Sequence, residues 1–334
     1  MLNQNLKLNT KIFNNDLEKI STRQGFGEGL LQAGIKDKNV VALCADLTES
    51  TKMNLFEDKF PERFIQVGVA EQNLASVASG MAMMGKIPFI SSFSMFSPGR
   101  NWEQIRTNIC YNDQPVKIAS THAGLTVGPD GGSHQALEDI AITRVIPNMV
   151  VISPCDAIEA KKATMACAIT KEPTYLRFAR NNTPLITTID TPFEIGKAQI
   201  IFQPENGLAK VGIIATGPIL YNALISAKKL EQEGIRVKVM NLSTIKPLDE
   251  NAIILLAKET KLIVTIEDHQ IIGGMGSAVA ECLAANYPTK IVFMGVKDKF
   301  GQSGTALELY KKYGLDPHHI TETIKKVLNK KSAS

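Results

Sequence analysis

The segment Val67-Gly68-Val69-Ala70-Glu71-Gln72-Asn73 decides the fold of the first half of the chain. The apolar run at residues 64–67 ends at Gly68, and small and apolar residues follow Glu71 as far as Met84. This pattern predicts a strand, a tight turn and a helix. Glu71 then stands at the start of the helix, where the helix dipole stabilises an acid. Taken alone, that structural role is the better interpretation.

The composition is that of a globular protein with two domains. The chain has 334 residues, of which 44% are hydrophobic and 21% are charged, so it can bury two cores. The net charge of +4 is not gathered into a stripe with interleaved aromatic residues, so we do not expect a nucleic acid partner. We also expect no secretory signal and no membrane segment, because no apolar run has the required length and context.

Five cysteines lie far apart in the sequence, without a C-x-x-C pair. This spacing predicts buried free thiols in a reducing cytoplasm rather than a disulfide framework.

Apolar runs alternate with helical patterns along the whole chain. In the first half we predict strands at residues 40–44, 64–67, 87–92, 116–120, 149–152 and 174–178, and the pattern also favours a helix over residues 11–31. Alternation of this kind predicts an α/β fold with two doubly wound domains. We place a mostly parallel sheet in residues 14–184, a linker at residues 185–197 and a smaller α/β domain in residues 198–330.

Candidate functional side chains follow the predicted strands. In open parallel sheets, ligands bind beyond the carboxyl ends of the strands. Scattered surface residues would not be expected to occupy these places together, so the first domain is predicted to carry a site. The residues concerned are Asp46, Glu71, Phe93, His122 and Arg180.

The residues at these strand ends include acids, bases and cations but no evident nucleophile. There is no nucleophile elbow and no P-loop, and the spacing of His122 and His134 across a glycine loop (residues 124–134) is not a known metal-ligand pattern. We therefore predict no metal ligands in this chain and expect a cofactor to supply the missing reactivity. The segment 273–277, Gly-Gly-Met-Gly-Ser, is better interpreted as a helix start than as a phosphate-binding turn.

Several segments resemble the C-terminal section of transketolase, which consists of a pyrimidine-binding domain and a transketolase C-terminal domain. The second domain resembles this section only in its general α/β pattern, so the motifs lie in the first. They are Asp46-Leu47-Thr48-Glu49-Ser50, Gly68-Val69-Ala70-Glu71-Gln72-Asn73, Ser92-Phe93-Ser94-Met95-Phe96, Thr121-His122-Ala123-Gly124, Gly128-Pro129-Asp130-Gly131-Gly132-Ser133-His134-Gln135 and Arg180.

The resemblance implies thiamine diphosphate as the cofactor. Glu71 matches the family's glutamate that hydrogen-bonds the pyrimidine ring nitrogen. Phe93 and Phe96 match the aromatic pocket that stacks on the pyrimidine, although each could also be a plain core residue. Leu47 matches the apolar residue that bends the cofactor, and Asp46 lies beside it.

The resemblance also implies a sugar phosphate as the substrate. His122, Asp130 and His134 match residues that contact the hydroxyl groups of the donor sugar, and with Glu71 the two histidines complete the expected catalytic set. Two arginines and a serine match the family's phosphate site. The planar guanidinium group of arginine can donate two hydrogen bonds to phosphate oxygens. These three residues are Arg23, Ser50 and Arg180.

One part of the family's site is missing from this sequence. The family holds the diphosphate through a divalent metal, Mg²⁺ or Ca²⁺, with a Gly-Asp-Gly motif and a later Asn, and neither matches here. We therefore expect an N-terminal transketolase subunit to carry this motif, as the α chain of an α₂β₂ assembly in which the present chain is β. The implied reaction transfers a two-carbon ketol group from a ketose phosphate to an aldose phosphate.

Three alternatives remain open at this stage. The β subunit of a 2-oxo acid dehydrogenase E1 shares the fold and the glutamate but has no need of a sugar-phosphate set. A deoxyxylulose-phosphate-synthase-like half would share the cofactor, and Thr121-His122 fits transketolase better. A non-catalytic scaffold of the same fold would be expected to lose the acid or the sugar contacts.

Overall fold

The computed structural model describes residues 1–260 and 262–330, in which helices flank two main sheets. The strands are β1 (Lys19–Ser21), β2 (Val40–Cys44), β3 (Phe64–Gln66), β4 (Ile87–Phe93), β5 (Lys117–Thr121), β6 (Val150–Ile152), β7 (Thr174–Arg177), β8 (Asn182–Pro184), β9 (Gln199–Phe202), β10 (Val211–Ala215), β11 (Val237–Asn241), β12 (Thr244–Lys246), β13 (Leu262–Gln270) and β14 (Lys290–Val296). The helices are α1 (Thr22–Lys36), α2 (Thr48–Thr51), α3 (Asn54–Glu57), α4 (Glu71–Met83), α5 (Trp102–Gln104), α6 (Asp139–Arg144), α7 (Ala157–Cys167), α8 (Leu220–Gln232), α9 (Glu250–Thr260), α10 (Met275–Asn286), α11 (Ala306–Lys312) and α12 (Pro317–Lys330).

Seven strands form the larger sheet, in the spatial order β12-β6-β7-β5-β4-β2-β3. Each neighbouring pair is parallel except β12 with β6. Parallel strands need crossover connections, and helices such as α4 and α7 supply them. The predicted α/β class with a mostly parallel sheet in the first half is confirmed.

The smaller sheet has five strands, in the order β14-β13-β10-β11-β9, and only β9 runs antiparallel to its neighbour. The strand β12 follows β11 in the chain but pairs with β6 of the larger sheet. The second half of the chain therefore completes the edge of the first half's sheet. Neither β9 nor β12 was predicted, because short antiparallel edge strands leave little periodic signal.

The helix α1 packs closely on α7 through glycines. The hydroxyl of Ser21 accepts the backbone N–H of Gln24 at 3.3 Å, which caps the start of α1. A Cβ atom at Gly25 would collide with the carbonyl oxygen of Ala157. The absence of side chains at such positions lets the two helix backbones approach.

The structure corrects the helix predicted over residues 11–31. The chain is extended at Lys19–Ser21, where β1 pairs antiparallel with β8, and α1 starts only at Thr22. Residues 102–110, whose sequence also favours a helix, form the short α5 followed by the π-helical turn Ile105–Cys110. The sequence also gave no indication of α12. The domain and linker boundaries stay predictions.

One face of α4 is buried and the other is exposed. Leu74 and Ala78 are buried against the larger sheet, whereas Ser76 is exposed and Gly80 has no atom within 4 Å of a Cβ placed on it. The face that carries Ser76 and Gly80 is therefore left uncovered by the described part of the chain.

All five cysteines are buried free thiols, as their spacing predicted. Across residues 1–260 and 262–330, no helix is both long enough and apolar enough to cross a lipid bilayer.

Candidate functional site

The strand order brings the predicted residues to one edge of the larger sheet. The strands β7, β5, β4, β2 and β3 are consecutive neighbours and their carboxyl ends point the same way. Each candidate lies at or just after one of these ends. In spatial order they are Arg180, His122, Phe93, Asp46 and Glu71.

Glu71 is the first residue of α4, and only 1% of it is exposed. Its Oε1 atom accepts a hydrogen bond from the Ser92 hydroxyl at 3.3 Å, and its Oε2 atom lies 3.0 Å from Nη1 of Arg100. The side-chain amide of Asn101 donates to its backbone carbonyl at 3.0 Å. A buried carboxylate at the start of a helix, with polar groups around it, is therefore held in one orientation.

Four rings lie together, and Arg100 links them to this carboxylate. The rings of Phe93 and His122 are stacked with their centroids 3.7 Å apart, and those of Phe93 and Phe96 are 6.2 Å apart at an angle of 18°. His134 meets Phe96 edge-on at 5.5 Å. The guanidinium of Arg100 lies 4.8 Å from the centroid of the Phe96 ring, which joins the ring cluster to Glu71.

His122 is held in an unusual backbone conformation. Its φ angle is +57°, a region that residues other than glycine seldom adopt and that is enriched at functional sites. The ring is almost fully buried, and Oγ1 of Thr121 lies 2.9 Å from its Nδ1 atom. Burial, together with the positive charges of Arg23 and Arg180, lowers the pKa of His122 to about 3. The imidazole is therefore neutral at physiological pH.

Two arginines face the same space as His122. Nη1 of Arg23 donates to the backbone carbonyl of Ser50 at 2.6 Å, and its buried Nε atom has no hydrogen-bond partner in the described part of the chain. Burial and the neighbouring charge of Arg180 lower the pKa of Arg23. Cations that repel one another in this way form a site for an anion.

Arg180 is anchored to the glycine loop. Its Nη1 atom donates to the carbonyl of Val127 at 2.7 Å and lies 3.7 Å from Oδ1 of Asp130. About a third of each charged side chain is exposed, so both can reach a ligand. The structure thus brings together Arg23, Arg180 and Asp130 with the ring cluster.

Asp46 and Leu47 lie one strand further along the edge. Asp46 also has a positive φ of 59°, and its N–H donates to Oε1 of Gln66 at 2.7 Å. Both residues line a cavity of about 480 Å³ that Ser50 and the acidic Glu49 also line. Asp46 and Leu47 follow β2, which lies between β4 and β3 in the larger sheet.

Two polar residues that were not predicted from the sequence make contacts with parts of the candidate site. Arg100 pairs with Glu71, and its only sequence signal is its position four residues after Phe96. Asp268 lies on β13 of the smaller sheet and accepts the N–H of Leu125, at the start of the glycine loop, at 2.9 Å. The sequence separation of 143 residues leaves no local signal for that contact.

The second glycine-rich segment has an internal acid at the start of its helix. The carboxylate of Glu267 accepts the N–H groups of Met275 at 2.7 Å and Gly276 at 2.9 Å, and burial raises the pKa of Glu267 to about 7. This carboxylate takes the place that a phosphate would need at the start of α10.

The described residues contain no group of three His, Cys, Asp or Glu side chains arranged to hold a metal ion. The acid, the rings and the cations belong to an α/β protein, and they make this edge of the larger sheet a candidate site for an aromatic and an anionic ligand. The two halves of that protein also match known families.

The model of the transketolase pyrimidine-binding domain matches residues 18–185, and the model of the transketolase C-terminal domain matches residues 202–320. The chain belongs to the transketolase family, as its motifs predicted. Members of this family depend on thiamine diphosphate.

Separate-subunit relatives match nearly the whole chain. A Methanocaldococcus jannaschii protein assigned as a transketolase C-terminal section is 46% identical over 92% of this chain and 96% of its own length. The 6-deoxy-6-sulfo-D-fructose transketolase subunit SqwH of a Clostridium species is 37% identical over 95% of this chain and 97% of its own. A solved split-gene transketolase, described as an inactive β4 tetramer, has a TM-score of 0.85 at 42% identity, covering 93% of this chain and 99% of that one.

Proposed function

We propose that this chain is the C-terminal subunit of a split transketolase that transfers a two-carbon ketol group from a ketose phosphate to an aldose phosphate. One observation carries the proposal. The buried carboxylate of Glu71 is joined through Arg100 to the stacked rings of Phe96 and Phe93, and Arg23 and Arg180 lie near His122 in the same ring cluster. An aromatic cofactor and an anionic sugar together match this arrangement.

The residues present fit the pyrimidine part of thiamine diphosphate. The Phe93 and Phe96 rings offer a flat apolar surface, and the Glu71 carboxylate offers a buried oxygen for a ring nitrogen. When bound, the cofactor supplies the carbon nucleophile that cleavage of a ketose requires. Glu71 would hold a proton at the ring nitrogen, while Asp46 and Leu47 would contact the cofactor further along the edge.

The residues around His122 fit the sugar phosphate. Neutral His122 and the nearby His134 would hydrogen-bond hydroxyl groups of the donor and help to move protons at its oxygens, and Asp130 would bind a further hydroxyl. Arg23 and Arg180 would bind the phosphate, with Ser50 beside them, since charge-assisted hydrogen bonds to anions are the strong ones.

We further propose that the metal and the diphosphate are held by an N-terminal partner subunit. Glu71 is the first residue of α4, and the face of this helix that carries Ser76 and Gly80 is exposed to solvent in the described part of the chain. The similar solved β subunit is described as inactive when it forms a β4 tetramer. Both observations support an α₂β₂ assembly, with Mg²⁺ or Ca²⁺ at the partner's motif.

One relative favours a related substrate. The similar clostridial subunit is named for a sulfonated fructose, and a sulfonate resembles a phosphate in charge and in its oxygens. The same two arginines would serve either anion. The E1 β subunit of a 2-oxo acid dehydrogenase is disfavoured because it has no use for this cation cluster.

The deciding experiment reconstitutes the chain with an N-terminal transketolase subunit that carries the Gly-Asp-Gly motif, thiamine diphosphate and Mg²⁺. Phosphorylated ketoses, 6-deoxy-6-sulfofructose and 2-oxo acids are compared as donors. We expect turnover of a phosphorylated or sulfonated ketose by the pair and none by either chain alone. Turnover by the single chain, or of 2-oxo acids only, would overturn the proposal.

A substitution tests the role of Glu71 in the same complex. Glu71→Gln keeps the shape of the side chain but removes its acid, and we expect kcat to fall by about 10²- to 10⁴-fold. Glu322→Gln on the exposed part of α12 is the matched control and should leave kcat unchanged. Near-normal turnover of the Glu71→Gln complex would show that Glu71 is not the cofactor acid.

A further inference from the structure

We propose that Asp268, in the smaller sheet, is a positioning residue that holds the glycine loop in place for binding of the donor sugar. The inference rests on the proposed function, because it assigns Asp130 and His134 of that loop to the sugar. It gives the second half of the chain a defined part in a site whose ligand-binding groups all come from the first half.

Asp268 joins three elements, two through its carboxylate and one through its backbone carbonyl. Its Oδ1 atom accepts the N–H of Leu125 at 2.9 Å, and its Oδ2 atom accepts the Tyr310 hydroxyl of α11 at 3.2 Å. Its backbone carbonyl accepts Nη2 of Arg177 from β7 at 2.8 Å. Only 5% of Asp268 is exposed, so water cannot replace these bonds freely.

The start of the loop is shaped to meet this carboxylate. Gly124 has a φ of +76°, and a Cβ atom placed on it would collide with Oδ2 of Asp268. A glycine is therefore required here both by the backbone conformation and by the close approach. The carboxylate and the loop backbone fit each other at a distance that no larger residue would permit.

The far end of the loop is held by the same half of the chain. Nε2 of Gln135 donates to the carbonyl of Gln302 at 3.0 Å, and a Cβ atom on Gly132 would lie 2.7 Å from the carbonyl oxygen of Gly301. Asp130 and His134 lie between these two attachments. The loop is thus held at both ends, and we expect that opening its start moves the two sugar-binding candidates between them.

Removing the carboxylate should act on the donor rather than on the cofactor. Asp268→Ala leaves the N–H of Leu125 buried without an acceptor, so the start of the loop should open. We expect the KM for the donor ketose to rise at least about 10-fold, because small misplacements of binding groups have large kinetic effects. The affinity for thiamine diphosphate should change less than about 2-fold, since Glu71 and Phe93 lie outside the loop.

Two variants separate positioning from a general loss of stability. Asp268→Asn keeps an oxygen for Leu125 and should restore the donor KM to within about 3-fold of wild type. Glu267→Ala is the matched control, because Glu267 is a buried acid on the same strand that accepts backbone N–H groups of α10 but does not touch the loop. It should leave the donor KM unchanged.

Hydrogen exchange of the full chain gives a readout that needs no turnover. In Asp268→Ala the amide of Leu125 should exchange at least about 10-fold faster than in wild type, and in Glu267→Ala it should not. If Asp268→Ala does not fold, Tyr310→Phe removes one of the bonds and should speed the same exchange about 2- to 3-fold. Exchange at Leu125 as slow as in wild type, in Asp268→Ala or in the Tyr310→Phe variant that replaces it, would overturn the positioning role.

The two readouts also separate this inference from the function on which it rests. A wild-type complex without transketolase turnover would refute the proposed function, while the exchange at Leu125 would still decide whether Asp268 holds the loop. A normal donor KM in a folded Asp268→Ala complex would refute the positioning role even if the transketolase reaction is present.

Discussion

The Nη1 atom of Arg100 lies 3.0 Å from Oε2 of Glu71. Glu71 is buried, whereas half of the Arg100 side chain is exposed and its guanidinium lies over the Phe96 ring. The charge of the buried acid is therefore balanced by a side chain that can turn away into solvent. A cofactor ring that binds Glu71 has to share the carboxylate with Arg100 or displace it.

This pair should be measurable by a double-mutant cycle. Arg100→Met removes the charge and keeps the apolar stem, and Glu71→Gln removes the acid. Because water screens the half-exposed arginine, we expect a coupling energy of about 0.5–2 kcal/mol in the free energy of unfolding. Urea unfolding of the isolated chain and its three variants gives this value. Additive effects of the two substitutions would mean that the contact contributes nothing to stability.

Local patterns predicted the part of the fold that positions the site. The strands β2 to β7 are short apolar runs with clear ends, and the polar residues after them converge because parallel strands end on one edge. The strands β8, β9 and β12 could not be predicted in the same way, because each is defined by pairing with a distant segment. Periodicity carries no information about such partners.

The residues of the candidate site also fall into those that local sequence predicted and those that are defined by contacts with distant segments. Glu71 and Phe93 were found because they stand at the ends of strands and match family motifs. Arg100 and Asp268 were missed because their importance lies in contacts across 29 and 143 residues of sequence. The exposed face of α4 was also missed, because a run of small residues does not tell whether the same chain or another one covers it.

His122 should make the stability of the chain depend on pH. Its pKa is about 3 in the folded chain, against 6.5 for the free side chain. Between these values the unfolded state binds a proton that the folded state excludes, so His122 favours unfolding increasingly as the pH falls from 6.5 towards 3. Above pH 6.5 this effect is absent. The limiting slope for one group is about 1.4 kcal/mol per pH unit.

Urea unfolding at pH 7, 6, 5 and 4 tests this effect by comparing wild type with His122→Asn. The difference in unfolding free energy between the two proteins should shift in favour of the variant as the pH falls. His269 acts in the same direction, because burial lowers its pKa to about 4, so the variant keeps part of the acid sensitivity. A difference that is constant from pH 7 to pH 4 would contradict a neutral, buried His122.

Arg180→Ala should weaken binding of the anionic group of the donor. A charge-assisted hydrogen bond contributes about 1.5–3 kcal/mol, so we expect the donor KM of the reconstituted complex to rise about 10- to 150-fold. The kcat/KM for an unphosphorylated ketose should change little. Steady-state kinetics with both donors checks this, with Arg236→Ala on the exposed surface of the second half as the control. An equal loss with both donors would place Arg180 outside the phosphate site.

The buried ion pair between Asp139 and Arg177 should be important for stability. Nε of Arg177 lies 2.7 Å from Oδ2 of Asp139, both side chains are at most 5% exposed, and the Tyr175 hydroxyl donates to the same oxygen. Burial opposes ionisation of Asp139, but the charge of Arg177 outweighs it and lowers the pKa of the carboxyl. Asp139→Asn leaves the arginine buried without its counter-charge, and we expect a loss of about 3–5 kcal/mol.

Urea unfolding at pH 7 measures that loss. The control is Lys161→Met, which breaks the ion pair of Lys161 with Glu28. The two side chains of this pair are 34% and 43% exposed. A pair so near the solvent should contribute at most about 1 kcal/mol. Comparable losses of unfolding free energy in the two variants would mean that the buried pair contributes no more to stability than the exposed one.

The exposed face of α4 should be the contact surface for the partner subunit. A Cβ placed on Gly80 would meet no atom within 4 Å from the described residues outside its own turn of the helix, and Met83 beyond it is 70% exposed. A helix-interior glycine costs roughly 0.5–1 kcal/mol relative to alanine, so Gly80→Ala should stabilise the isolated chain by about that amount. A destabilising glycine at an exposed helix position is explained if the backbone of another subunit packs against Gly80.

Gly80→Leu puts this explanation to the test. In the isolated chain the leucine side chain enters open space, so the variant should fold with at least wild-type stability. The same side chain would hold the two helix backbones apart, so the variant should bind the N-terminal subunit at least about 100-fold more weakly. Lys326→Leu, at an exposed position of α12, controls for the added apolar surface. Titration calorimetry measures the affinity and sedimentation reports self-association of the chain. Wild-type affinity in Gly80→Leu would exclude this face from the interface, since a leucine cannot be accommodated where two helix backbones meet closely.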